Sequence, residues 1–95
     1  MSPVVEREMT ISHRDFFRLL PKALQGRPCD IDGRDIHVAH ESGAVHINLS
    51  EEYSRKLGVI SLPVTRVTLQ FDGLPEGDSQ AFLSRFDLAY QKGGG

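Results

Sequence analysis

The spacing of apolar positions changes period several times along the chain, and each change marks an element. Residues 4–11, VVEREMTI, alternate in part, with Val5, Arg7, Met9 and Ile11 on one side and Val4, Glu6, Glu8 and Thr10 on the other. That pattern predicts an edge-like strand. From Ser12 the spacing turns helical: Phe16, Leu19, Leu20, Ala23 and Leu24 share a face, while Arg14, Arg18 and Lys22 follow at four-residue steps on the polar side. Ser12 is a suitable N-cap, Asp15 completes a variant of the capping box, and Gly26 supplies the stop. Pro21 lies inside this run, where it cannot donate to the Phe17 carbonyl and its ring crowds that turn. The helix either bends there, or divides into residues 12–20 and 21–25 with Pro21 opening the second piece.

Residues 28–49 return to a period of two. Asp32-Gly33 predicts one two-residue hairpin turn and Ser42-Gly43 a second. With those turns Ile31 pairs with Arg34, Cys29 with Ile36, Ile36 with Leu49, Val38 with Ile47 and His40 with Val45. One face then carries Cys29, Ile31, Ile36, Val38, His40, Val45, Ile47 and Leu49, and the other His37, Ala39, His46 and Asn48. Both turns agree on one apolar face, which a one-residue slip would scramble. Residues 50–63, SEEYSRKLGVISLP, fit two readings. Ser50 can cap a short helix through Arg55, or Tyr53 to Leu62 can form a further meander strand, with Val59, Ile60 and Leu62 favouring a strand in the second half and Pro63 ending it. The next strand sets Thr65, Val67, Leu69 and Phe71 against Arg66, Thr68 and Gln70, and stops at Asp72-Gly73. Asp78 or Ser79 caps a last helix, whose stripe is Phe82, Phe86, Ala89 and Tyr90 joined by Leu83, and Gly93 ends it.

The predicted order is β-α-β-β-β-(β)-β-α. It describes an α+β domain: an antiparallel sheet of four or five strands, with the bent N-terminal helix and the C-terminal helix packed on one face. Phe16, Phe17, Leu20, Phe82 and Phe86 form a shared aromatic core. The 95 residues are enough for one core, so residues 1–92 are expected to form a single domain and residues 93–95 a flexible glycine tail. In outline this order resembles the helix-grip folds, which hold a ligand between a curved sheet and a long C-terminal helix. The likeness is one of architecture, and it implies a small-molecule site between helix and sheet, for which the gap at the Pro21 bend is the candidate.

Charge and cysteine content narrow the functional classes. The net charge is −2, and Lys and Arg are scattered, whereas a duplex-binding surface needs a basic excess; nucleic acid is not expected. Cys29 is the single cysteine, so no internal disulfide can form, which suits a reducing compartment. Set in a strand without a basic neighbour, it reads as a small buried hydrophobe. The first residues, MSPVVEREMTI, lack the apolar run of a signal peptide, and no stretch has the length of a membrane span. A cytoplasmic location and no membrane partner follow as expectations.

Candidate chemistry centres on the four histidines. His37 and His40 point to opposite faces of one strand. His37 and His46 share the polar face, diagonally across the hairpin. Glu41 shares that face but sits at the turn, so no third ligand is expected there, nor a metal or other cofactor. His40 falls at the rim of the core. The acidic run DIDGRD reads as a hairpin turn, because the positions of a calcium loop's first and last ligands are Pro28 and Ala39. Ser12, His13 and Asp15 are explained by helix capping. With no nucleophile elbow or phosphate loop, no catalytic residue is assigned and no enzyme is expected.

The leading expectation is therefore a small non-enzymatic accessory or interaction protein. It would act through the open face or an edge of its sheet, with His37, His46, Asn48 and Arg66 as the binding surface, toward another protein or a second copy paired edge to edge. The chain ends in Gly94-Gly95. A terminal Gly-Gly resembles the end of the ubiquitin-like sulfur carriers and modifiers, and that likeness implies an alternative role as a carrier with a reactive C-terminus. The likeness stops at the tail, since that family opens with a hairpin before its helix and its tail follows a strand.

Overall fold

The computed structural model describes residues 4–93. In chain order the elements are β1 (Val4–Met9), α1 (His13–Ala23), β2 (Cys29–Asp32), β3 (Asp35–His40), β4 (Gly43–Leu49), β5 (Tyr53–Leu57), β6 (Ile60–Asp72) and α2 (Glu76–Gly93). Every strand pairing is antiparallel. The strand order is β1-β6-β4-β3-β2, with β5 joined to β6 off that path. The α+β architecture is the one expected, with six strands in place of four or five.

Both helices lie on one face of the sheet, where Ile36, Val38, Val45, Ile47, Leu49, Val67 and Leu69 meet Phe16, Leu20, Phe82 and Phe86. Phe16, Phe71 and Phe86 are among the fully buried side chains, each contributing about 1.5–3 kcal/mol through burial. Phe16 stacks on Tyr90 with ring centroids 4.9 Å apart, and Phe82 meets Phe71 edge-on. The Tyr90 hydroxyl donates to the Phe16 carbonyl at 2.9 Å, tying α2 to α1.

Local signals in α1 act as expected at its start. Ser12 caps it by accepting from the Asp15 N–H at 3.1 Å. Pro21 does not divide the helix. It sits on the exposed side of a single α1, and the Leu24 N–H still donates to the Leu20 carbonyl at 2.9 Å. The chain leaves the helix through two left-handed residues, Gln25 (φ 56°) and Gly26 (φ 77°).

The hairpins keep the expected faces but not the expected turns. Asp32 pairs with Asp35, Ile31 with Ile36 and Cys29 with Val38, so the first loop is Gly33-Arg34. Gly33 takes φ 62° as first loop residue, the place a type II′ turn reserves for glycine. In the second hairpin His40 pairs with Gly43 and Val38 with Val45, so the loop is Glu41-Ser42. Gly43 is needed for space: a Cβ there would lie 2.1 Å from the Asp72 carbonyl oxygen on β6. Each register moves by two residues, an even shift that leaves side chains on their faces. Burial does differ. Cys29 and Ile31, expected in the core, are exposed, because β2 is the edge strand farthest from β6 and α1 and α2 do not cover it.

Residues 50–62 form no helix. Leu49 pairs with Val67 and Tyr53 with Val64, so three residues, 50–52, stand opposite two, 65 and 66. This is a β-bulge, and β4 and β5 are one strand interrupted by it. Ser50 fixes the bulge with both backbone and side chain: its N–H donates to the Arg66 carbonyl at 2.8 Å, and its Oγ accepts from the Arg66 N–H at 2.9 Å. Nor does Pro63 end the strand; it lies within β6 opposite Ser54. There β6 has a neighbour on one side only, so a missing donor is tolerated. The helix α2 begins at Glu76, ahead of both expected caps, and the Pro75 carbonyl accepts its first bond from the Ser79 N–H at 3.0 Å. Asp78 instead accepts from the Ser42 hydroxyl, pinning the β3–β4 turn to α2.

Candidate functional site: the open sheet face and its arm

The alternation of β3, β4 and β6 leaves a second face that, among the described residues, neither α1 nor α2 covers. Register aligns its polar residues in rows across the strands. Asp30, His37, His46 and Gln70 form one row, and Asp35, Asn48, Thr68 and Glu6 the next. The bond from the Leu49 N–H to the Arg34 carbonyl at 2.9 Å marks that pair as hydrogen-bonded. By alternation His37–His46 is a non-hydrogen-bonded pair, the kind whose side chains come closest. The two imidazoles are directly opposite, not diagonal, and stack with centroids 4.6 Å apart and planes 24° from parallel.

A carboxylate anchors this pair, contrary to expectation. Asp35 Oδ1 lies 3.1 Å from His46 Nε2 and accepts from Asn48 Nδ2 at 2.8 Å. The Asn48 bond, followed by His46, holds the Asp35 carboxyl below its usual range. Asp35 precedes His37 by two positions, so the strand period already put it on this face. Arg66 does not join the group. It lies mid-strand in β6, on the same face and two residues from Thr68, but opposite Glu8 of β1 and 3.6 Å from its carboxylate. There Glu8 also accepts from Tyr53 Oη at 3.0 Å and from Arg55, and Arg55 followed by Tyr53 holds its carboxyl below the ordinary value. Tyr53, Arg55 and Glu8 were not among the expected site residues. Their meeting depends on the bulge at residues 50–52 and on pairing between opposite ends of the chain.

The bulge also turns β5 over. Leu49 faces the core, yet Tyr53, Arg55 and Leu57 share a face with Val64, Leu62 and Ile60, which continues the open-face series Arg66, Thr68, Gln70. The arm formed by β5 and the first half of β6 thus has one mostly apolar face, continuous with the open face of the sheet, and a back that is polar at Ser54, Lys56 and Ser61 and carries Pro63. At its base Val64 is fully buried although it lies outside the main core. At its tip Leu57 and Ile60 are more than half exposed and Val59 is fully exposed. Residues 51–61 are exposed throughout, and the molecule measures 46 Å along its longest axis against 25 and 24 Å across.

The other histidines are structural. The His13 backbone N–H donates to Glu52 at 2.8 Å and its Nε2 lies 2.8 Å from the Ser50 carbonyl, clamping the start of α1 to the bulge. His40 is buried beside Phe82, and its Nδ1 accepts from the Ser42 N–H at 3.1 Å, which places it at the core rim as expected. Among the described residues, no three His, Cys, Asp or Glu side chains converge to hold a metal ion. Gly94 and Gly95 lie outside the described residues. Among the described residues, no helix is long and apolar enough to cross a membrane.

Comparison with protein-family models, with curated proteins and with solved structures gives no match.

Proposed function

We propose that this is a small non-enzymatic interaction protein that binds another protein through the open face of its sheet and the inner face of the β5–β6 arm. The observation that carries this is the arm: a two-stranded ribbon with Leu57, Val59 and Ile60 exposed together at its tip. Scattered apolar residues are ordinary on a surface, but a grouped apolar patch bordered by polar residues marks a contact site. Here the border is the Glu8–Arg55–Arg66 cluster, and beyond it lies the His37–His46 pair with Asp35 and Asn48. A tip of this kind is costly to leave in water and gains most by burial against a partner.

Edge-to-edge pairing of two copies has less support. An antiparallel match of β1 with itself centred on the strand sets Glu6 opposite Glu6 or Arg7 opposite Arg7, one of β2 sets Asp30 opposite Asp30 or Asp32, and one of β5 centred on its middle residue sets Arg55 opposite Arg55. The single exposed thiol, Cys29, fits a reducing, cytoplasmic setting.

The test is an affinity capture from the native host with four baits. These are the intact chain, a tip variant (Leu57→Ser, Val59→Ser, Ile60→Ser), a face variant (His37→Ala, His46→Ala) and a chain lacking Gly94 and Gly95. A partner retained by the tail-less chain but lost by the tip and face variants supports the proposal. A partner captured equally by the tip and face variants refutes it, and one lost only without Gly94-Gly95 moves the carrier role to first place.

A further inference from the structure

We infer that the cavity between α2 and the β1–β6 side of the sheet binds a small, neutral, largely apolar molecule carrying one carbonyl oxygen. The site lies on the helical side of the sheet, and it is independent of the proposed docking face. The cavity has a volume of about 330 Å³, with Val5, Phe71, Leu74 and Leu83 as apolar wall and Ser79 among them. That is within the range of small-ligand pockets and more than twice the roughly 150 Å³ that accommodates benzene in an apolar core. The cavity is partly open to solvent, with exposed Glu76 and Gln80 beside it and the buried Phe71 in its lining.

Ser79 indicates what the occupant must offer. The residue exposes only 8% of its surface, and its Oγ is buried without a hydrogen-bond partner among the described residues. The Pro75 carbonyl, the acceptor one turn back, already takes the Ser79 backbone N–H. A buried hydroxyl left without a partner is unfavourable, and turning the Ser79 side chain about its Cα–Cβ bond toward a ligand oxygen in the cavity would relieve it. The first turn of a helix is rich in unpaired N–H donors, so an acceptor suits this end of α2 better than a donor. A formal anion does not, because Glu76 stands at the cavity and Asp78 adds a second carboxylate to the same turn. One helical turn past Leu83, the Arg7–Asp87 ion pair at 3.2 Å bridges β1 to α2 and separates this cavity from a second cleft beside Met9 and Tyr90.

Two probes of nearly equal shape test the assignment, acetophenone and ethylbenzene, each titrated into the ¹⁵N-labelled full chain and followed by NMR. Both should shift the amides of Val5, Phe71, Leu74, Ser79 and Leu83 saturably, with acetophenone binding roughly 3- to 10-fold tighter, the worth of one hydrogen bond. Ser79→Ala, which favours the helix and should fold, should leave ethylbenzene binding unchanged and erase the preference for acetophenone. Absence of saturable shifts at those amides at low millimolar probe, shifts mapping to the arm tip instead, or a preference that survives Ser79→Ala would each overturn the assignment.

Discussion

Tyr90→Phe isolates the contact that locks the two helices together, and its effect should change with pH. The Tyr90 ring exposes 6% of its surface and its hydroxyl donates to the Phe16 carbonyl at 2.9 Å. Losing that bond while keeping the stacked ring should cost about 1 kcal/mol at neutral pH. Burial also pushes the phenol's pKa up, far above its ordinary value of 10.0. The sign follows from linkage. The phenol ionises in the unfolded chain at pH near 10 but stays protonated in the fold, so its stabilising contribution is whole below that pH and is lost as pH rises. At pH 11 the unfolded state gains about RT ln 11, or about 1.4 kcal/mol, from releasing this proton. The Phe variant has no such proton. Its deficit of about 1 kcal/mol at pH 7 should therefore vanish or reverse by pH 11. Urea unfolding followed by circular dichroism at pH 7, 9 and 11 measures both chains, and other groups that titrate in that range cancel in the difference. A gap between wild type and variant that stays constant from pH 7 to 11 refutes the reasoning.

Three further outcomes are expected. The Glu8 carboxyl is held below its ordinary value of 4.5 by Arg55 and Tyr53, so its hold on the arm is intact above that pH and is lost as pH falls through the lowered value; ¹⁵N order parameters of residues 53–57 should drop on acidification, and Glu8→Gln should remove that dependence. Gly43→Ala forces a Cβ against the Asp72 carbonyl and should cost about 2–3 kcal/mol in urea titrations, although Gly43 is exposed and has no unusual φ. Pro21→Ala restores a helix donor at an exposed position and should raise the thermal midpoint, with a gain of about 1–3 kcal/mol, while leaving acetophenone binding at the α2 cavity unchanged.

The proposed docking face and the proposed ligand cavity lie on opposite sides of one sheet. Of the side chains expected to form the binding surface, His37, His46 and Asn48 do cluster, because each occupies a polar position of the β3–β4 hairpin and period alone puts them on one face. Asp35 was equally legible by that rule, two residues before His37. Arg66 belongs to a separate cluster whose members come from β1, β5 and β6, and no local signal links Glu8 to Arg55. The apolar tip is absent from the single strand Tyr53 to Leu62 that the pattern offers, because the chain reverses at Gly58-Val59, with Gly58 at φ 61°, and continues through Pro63 into β6.

Local physics was readable directly. Helical and strand periods follow from backbone geometry, so both helices, the Ser12 cap, the meander and its apolar face are present in the order of residues. What only the tertiary structure decided are the relations between distant segments. Gly43 against Asp72 sets the second turn, the reach of α1 and α2 leaves Cys29 and Ile31 uncovered, and the extra residue in the bulge turns β5 to the open face. Each of these depends on which strands become neighbours, and that is set by how the whole chain buries its apolar faces rather than by the spacing within any one segment.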